Sequence, residues 1–356
     1  PPRHGTALNR HCFRAVLDKG AGRWYIGASD TDRTLHGGRY WEGSRAARYC
    51  GPFSFGGTMP AKPFCSIPDQ LEILSRRGLQ VCASDGDILL GENYYAVING
   101  YKAPFVDRIA SSSSPEERYI GGASFSDIYA LYRFDAKLRE LMLGYLLRCE
   151  TRVKSVSAHT FCEHHPEPAA YLDMENYTTR QDYMPGQKAF VADLPRFIEE
   201  LRYKAVAQRQ CKPYIQHYRE RYGEVPLWVL VNELTFGNVS YFFNLLPRTE
   251  QNQICKRIVR LQHRAEKSVL TPHAMRLTLR ALVECRNICA HGDRLYCAKM
   301  GPVHDISLFD AVGLMGNILP PETIEEARGS IRALSQQFSQ ESPVLTDVLS
   351  RFGFIK

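Results

Sequence analysis

The residues best equipped for chemistry sit together late in the chain, as Arg286-Asn287-Ile288-Cys289-Ala290-His291. A guanidinium, an amide and an imidazole within six residues are the groups that bind a phosphate and move protons near neutral pH. On a helix, Asn287 and His291 are four apart and project from one face. Arg286 is displaced by about 100° from Asn287, and its long side chain can swing towards the same pocket. Such a trio suits a phosphodiester. Histidine can act as general acid or base, arginine can hold a phosphate oxygen and offset charge in the transition state, and the amide can orient the imidazole or bind the phosphate. One copy supplies a single imidazole, whereas attack by an RNA 2′-hydroxyl works best with a base and an acid. Two copies across a two-fold axis would supply both. An arginine and a histidine with four to six residues between them also arise by chance, since Arg152 and His159 match that spacing. The competing reading is a histidine capping a helix carbonyl beside an arginine in a surface ion pair.

The positioning element is a helix over 272–291. Thr271-Pro272 gives a cap and first turn, Met275, Leu279, Leu282, Val283 and Cys289 give a buried stripe, and Gly292 gives a stop. The longest helical pattern runs from Phe125 to about His164, with Ile128, Leu131, Phe134, Leu138, Leu141, Met142, Tyr145, Leu146 and Val153 stepping by three and four. Asp135, Arg139, Arg148, Glu150 and Arg152 along it are expected to form ion pairs. Pro166 and Pro168 are expected to close a helix pair. Further helices are expected from Pro68 to Gly78, about 86–96, 189–222, 227–234, 241–246, 251–263, 322–337 and at the C-terminus. The stretch from Phe105 to Gly122, with its serine run, is expected to be a loop. Residues 170–186 are expected to connect helices, Phe236-Gly237-Asn238 to break the helix over 227–234, and Ser240 to cap the one after it. Strand signals are sparse, so the fold class is all-α, an antiparallel helical bundle with short connections.

Charge is unevenly placed. Residues 1–58 hold nine Lys and Arg against four Asp and Glu and ten of the 26 glycines, leaving only +2 of the net +7 to the remainder. That segment has no helical or alternating period, and Met59 is the first methionine. Met59 is therefore expected to be the start, with 1–58 an extension without a fold. A flexible arginine-rich arm that binds RNA is the alternative. The eleven scattered cysteines show no repeated CxxC pairs, which argues for reduced thiols in a cytoplasmic setting. No apolar run reaches the length of a membrane span, so no membrane is expected.

Beyond chemistry, Arg286-Asn287-Ile288-Cys289-Ala290-His291 followed by Arg294-Leu295-Tyr296 resembles the RNxCAHxxRLW signature of the Abi-like abortive-infection proteins of bacteria. Lys62-Pro63-Phe64, Gln70–Leu74 and Arg77-Gly78-Leu79 are similar to that family's opening. Asn93-Tyr94-Tyr95 with Asn99-Gly100-Tyr101 is similar to its NYYRLSGY element. Tyr132–Asp135 with Leu138-Arg139, Glu150 with Arg152, and Pro226-Leu227-Trp228 with Phe236-Gly237 follow in the family's order. The resemblance spans about 62–300. It implies domains at 59–300, an Abi-like helical unit of the HEPN superfamily, and at 301–356, a C-terminal helical extension. It further implies a metal-independent RNase site shared across a homodimer. By position, His291 would be acid and base, Arg286 the phosphate binder and Asn287 the supporting polar group, with Asp293, Arg294 and Tyr296 as supporting residues or RNA contacts. Gly292 stands where many relatives carry a second polar residue, and Tyr296 replaces a tryptophan. The implied partners are an RNA substrate, a second copy, and a regulatory RNA or antitoxin; no cofactor is implied.

Two rival readings remain. Cys285, Cys289, His291 and Cys297, or Cys162-Glu163-His164-His165, could hold zinc, but neither cluster has the paired short spacings of structural zinc sites, so no metal is expected. The other rival is a non-catalytic module that binds RNA or a partner protein, using the basic residues between Arg202 and Arg221.

Overall fold

The computed structural model describes residues 64–262, 269–301 and 305–355. The 1–58 segment and Met59 lie outside the described residues. Strand pairing among the described residues amounts to one two-stranded antiparallel ribbon and two isolated bridges, in an otherwise helical chain.

In chain order come α1 (Ile67–Arg76), α2 (Asp85–Glu92), β1 (Val106–Asp107), α3 (Arg108–Ser112), β2 (Arg118–Tyr119), α4 (Phe125–His164), α5 (Gln187–Arg202), α6 (Pro213–Tyr222) and α7 (Leu227–Leu230). There follow α8 (Phe236–Leu245), α9 (Arg248–Arg260), α10 (Pro272–His291), α11 (Leu308–Met315), α12 (Pro321–Ser339) and α13 (Pro343–Arg351). The 40 residues of α4 make a rod of about 60 Å. Ser124 starts it with a capping box in which Asp127 reciprocates. Helices α7, α8, α9, α10, α12 and α13 all contact α4, so it is the axis of the core. Its buried residues recur on one side through Ile128, Leu131, Leu138, Met142, Leu146 and Val153.

The structure departs from the sequence expectations at several joints. Residues 125–164 form one continuous helix rather than a pair. The segment expected to be helical to Ala96 breaks earlier, at Asn93, whose φ of 70° lies in the left-handed region, where asparagine is tolerated better than most residues. The chain then resumes as a π-helical turn, Tyr95–Asn99. The expected loop between Phe105 and Gly122 contains β1, α3 and β2. The expected helix over 189–222 is broken by a π turn at Tyr203–Ala207. Phe236-Gly237-Asn238 begins α8 instead of breaking a helix, because Thr235 and Asn238 form a capping box. Ser240 is consequently inside that helix. The Gly- and Pro-punctuated stretch after Tyr296 includes α11, capped by Ser307 with Asp310.

The C-terminal helices share the core of the rest. Phe134 is fully buried and meets Phe338 edge-on at 5.7 Å and Phe354 at 5.0 Å. Edge-to-face pairs of this kind couple by about 0.5–1.5 kcal/mol beyond their buried area. Truncating Phe134 to alanine is expected to cost about 3–5 kcal/mol in chemical denaturation. A double-mutant cycle with Phe354→Ala should return a coupling of about 0.5–1.5 kcal/mol; strict additivity would separate the C-terminal segment from the α4 core.

Candidate functional site

Helix α10 begins where Thr271 Oγ1 accepts the Ala274 amide at 3.2 Å and Pro272 occupies the first turn. Met275, Thr278, Leu279, Leu282, Cys285 and Cys289 are buried along it, and it packs on α4, α8, α9 and α11. It ends at Gly292, which takes φ 76°. The Gly292 and Asp293 N–H groups both turn back to the Ile288 carbonyl, a Schellman-type closure that leaves His291 on the last helical turn.

At this end Asn287, Ala290, His291 and Gly292 are exposed while Ile288 and Cys289 are buried. Neither the Asn287 amide nor the His291 imidazole makes a side-chain hydrogen bond among the described residues, so the amide does not orient the imidazole within one chain. Arg286 points elsewhere. Its Nε lies 3.8 Å from Oε2 of Glu150, whose other oxygen holds Lys154 Nζ at 2.7 Å. Glu150 is 6% exposed, and neither its Oε2 nor Arg286 Nε has a hydrogen-bond partner. The contact is thus one of charge without a hydrogen bond. Arg286 is partly exposed, and its terminal nitrogens donate to no group among the described residues, which leaves them able to take a phosphate oxygen. The structure therefore brings Asn287 and His291 onto one exposed face and turns Arg286 towards Glu150. It does not gather all three into one pocket of one chain.

The turn after α10 is held by a buried carboxylate. Asp135, on α4 and 0% exposed, accepts the Tyr101 hydroxyl at 2.8 Å and Arg139 Nη1 at 2.7 Å. It also accepts the amides of Leu295 at 3.1 Å and Tyr296 at 2.7 Å. Burial pushes the Asp135 carboxyl above the ordinary carboxylate value, and Arg139, the Tyr101 hydroxyl and the two amides pull against that rise. Arg139 also reaches the Tyr101 hydroxyl at 3.0 Å and the Asp293 carbonyl at 3.4 Å. Arg294 Nη1 donates to the Gly100 carbonyl at 2.9 Å. The Tyr296 ring is buried, stacked on Tyr101 at 5.8 Å and met edge-on by Phe352 at 4.9 Å. Of the supporting residues, Arg294 and Tyr296 thus have structural duties, and Asp293 contributes its backbone to the helix stop.

Glu150, Lys154 and Asp135 are the residues that spacing arguments left out of the site. A signal was present: Asp135 and Glu150 occupy positions on the apolar stripe of α4, where a charge must find a partner from another element. The expected ion pairs along α4 resolve individually. Asp135 takes Arg139 and Glu150 takes Lys154, while Arg152 donates to the Ile318 carbonyl at 2.9 Å and Arg148 lies 3.8 Å from Glu326.

Neither cysteine–histidine cluster gathers its members round one point. Cys285 is buried, and a hydrogen bond with Cys289 together with burial pushes its thiol up, away from the thiolate a metal would need. In the other cluster His165 faces Glu250 at 3.0 Å, His164 faces the Thr160 carbonyl at 2.9 Å, and Glu163 pairs with Arg257. Among the described residues no group of three or more His, Cys, Asp or Glu is arranged to hold a metal ion, and no helix is long and apolar enough to cross a membrane.

Compared with known proteins, residues 87–297 match the family model described as Abi-like protein. The match runs from within α2 through the turn after α10, and so includes Glu150, the Arg286–His291 run and Asp135. No curated protein and no solved structure matches the chain.

Two substitutions test the way this end of α10 is held. Asp135→Ala strands Arg139, a tyrosine hydroxyl and two amides, and is expected to lower stability by about 3–5 kcal/mol, the cost of removing one partner from a buried ionic network. Gly292→Ala meets no atom within 4 Å, so its cost should be the backbone term alone, about 1–2 kcal/mol. Equal, small losses for both in urea denaturation would mean that the Asp135 network does not hold the turn.

Proposed function

Because this chain belongs to the Abi-like protein family, we propose that it is an abortive-infection protein that acts as a metal-independent endoribonuclease of the HEPN type, its site completed by two copies of the chain. The observation that carries this reading is the exposed Asn287–His291 face beside an Arg286 whose terminal N–H groups are unengaged, at a helix end fixed by buried contacts. Among the described residues a single chain offers one imidazole there. A second copy brought against the same face supplies the other.

In the proposed reaction one His291 takes the proton of a ribose 2′-hydroxyl as its oxygen attacks the adjacent phosphorus. The bond from phosphorus to the 5′-oxygen breaks, leaving a 2′,3′-cyclic phosphate. The second His291 gives a proton to the departing 5′-oxygen, so the pair acts as base and acid in one turnover. Arg286 holds the non-bridging phosphate oxygens and offsets the charge that grows on them. Glu150 balances the Arg286 guanidinium from behind without occupying its terminal nitrogens. Asn287, one turn before His291 on the same face, supplies a hydrogen bond to the phosphate or to an imidazole of the partner copy. The RNA is the substrate, and a regulatory RNA or antitoxin that covers the exposed face would restrain the activity.

Purified full-length protein is expected to cleave tRNA or mRNA in the presence of EDTA. His291→Ala should reduce the rate by about 10²–10⁴-fold, the ordinary yield of a positioned acid or base, and Arg286→Ala by a comparable factor. Both variants should keep the wild-type melting temperature within a few degrees. Cleavage that survives either substitution, or that EDTA abolishes, would contradict the assignment. RNA binding without cleavage by the wild type would favour the non-catalytic module instead. Light scattering at micromolar concentration should give the mass of a dimer; a monomer would leave the composite site without its second imidazole.

A further inference from the structure

The exposed face of α10 continues beyond the reactive residues. At 100° per residue, Arg276, Arg280, Asn287 and His291 fall within about 60° of one another, on the side away from the buried Met275, Leu282, Cys285 and Cys289. Arg276 and Arg280 are half-buried, and Arg248, at the start of α9, is exposed. None of the three guanidinium groups has a carboxylate within ion-pair distance among the described residues. Arg276 donates to the neutral Gln251 side chain at 3.1 Å, which orients it without balancing its charge. Burial first, and then the neighbouring charge of Arg248, lower its pKa. The sole acid of α10, Glu284, accepts the Gly301 amide at 2.8 Å. Elsewhere on the surface arginines are commonly paired, as Arg76 is with Glu116, Arg133 with Glu341 and Arg328 with Glu325.

Like charges gathered without a counter-charge raise the energy of the free protein and favour an anion that neutralises them. We propose that Arg248, Arg276 and Arg280 form a phosphate subsite that holds the RNA strand about 16 to 22 Å along α10 from His291. The proposal rests on the RNA reading above and extends it by assigning where the strand runs: along α10 towards its N-terminus, with backbone phosphates rather than bases recognised. Guanidinium groups suit this role because they bind phosphate oxygens in pairs and keep their charge at any physiological pH.

The test uses the full chain carrying His291→Ala, so that RNA is bound without being consumed. Fluorescence anisotropy measures the Kd of a labelled single-stranded RNA of about 12 nucleotides as a function of salt. Arg248 and Arg280 lack a carboxylate partner among the described residues, so replacing them breaks no ion pair within that part of the fold. Adding Arg248→Ala and Arg280→Ala is expected to weaken binding about tenfold and to lower the salt slope by about 0.7 for each phosphate that the protein no longer neutralises. Arg280→Lys should keep the salt slope, since the charge is retained, while recovering only part of the affinity, since an ammonium cannot bind phosphate oxygens in pairs. Unchanged Kd and slope in the double variant would overturn the subsite, and if His291-dependent cleavage by the wild type persisted, the nuclease reading would stand without it. Arginine-dependent binding by a wild type that cuts no RNA would support the subsite and remove the nuclease reading. Absence of RNA binding altogether would overturn both.

Discussion

A carboxylate placed in a protein interior must recover the hydration it loses, and Asp135 does so by drawing together three separate parts of the chain. Its oxygens accept the hydroxyl of Tyr101 from the segment after α2, the guanidinium of Arg139 from its own helix, and two amides from the turn after α10. Each donor left unpaired at that depth would cost on the order of 1–3 kcal/mol, so the four are mutually enforcing. The consequence for function is positional. Helix α10 can stop only where Leu295 and Tyr296 meet Asp135, and that fixes the last turn, with His291 on it, against the long axis of α4.

The two sides of α10 carry different duties. Its inward side is a packed stripe that keys onto α4, and Arg286 lies close to that side, which is why it meets Glu150. Its outward side carries Asn287 and His291 in the open, with Arg276 and Arg280 further back. The His291 imidazole is exposed and has no side-chain hydrogen-bond partner among the described residues, which is why the proposed site looks to a second copy for its completion. The buried Glu150 pairs with the half-buried Lys154 behind Arg286, and this geometry leaves the guanidinium's terminal nitrogens unengaged among the described residues. Rigid support behind and open donors in front is the arrangement that electrostatic preorganisation needs.

Much of the fold was legible because its strongest elements follow local rules. Helix α10 runs from Pro272 to His291 as Thr271-Pro272 and Gly292 dictate, and α4 runs from Phe125 to His164 under one apolar period. Joints were less legible, because they depend on a few polar atoms: an Asn93 with positive φ, and a Thr235–Asn238 capping box that turns an apparent breaker into a helix start. In the candidate site the exposed residues could be found by spacing. Their supports could not, since Glu150 and Asp135 reach Arg286 and Tyr296 across well over a hundred residues. Their intrusion into the apolar stripe of α4 and their place in the family-like motifs marked them, and neither signal names a partner by itself.

In the proposed reaction, catalysis needs an imidazole from each of two chains. The most direct measurement is the activity of a purified heterodimer, obtained by co-expressing differently tagged wild-type and His291→Ala chains. If one histidine serves as base and the other as acid in the same site, the heterodimer should be nearly as inactive as the His291→Ala homodimer. Half the wild-type activity would mean that each chain works with its own histidine, and would contradict the account.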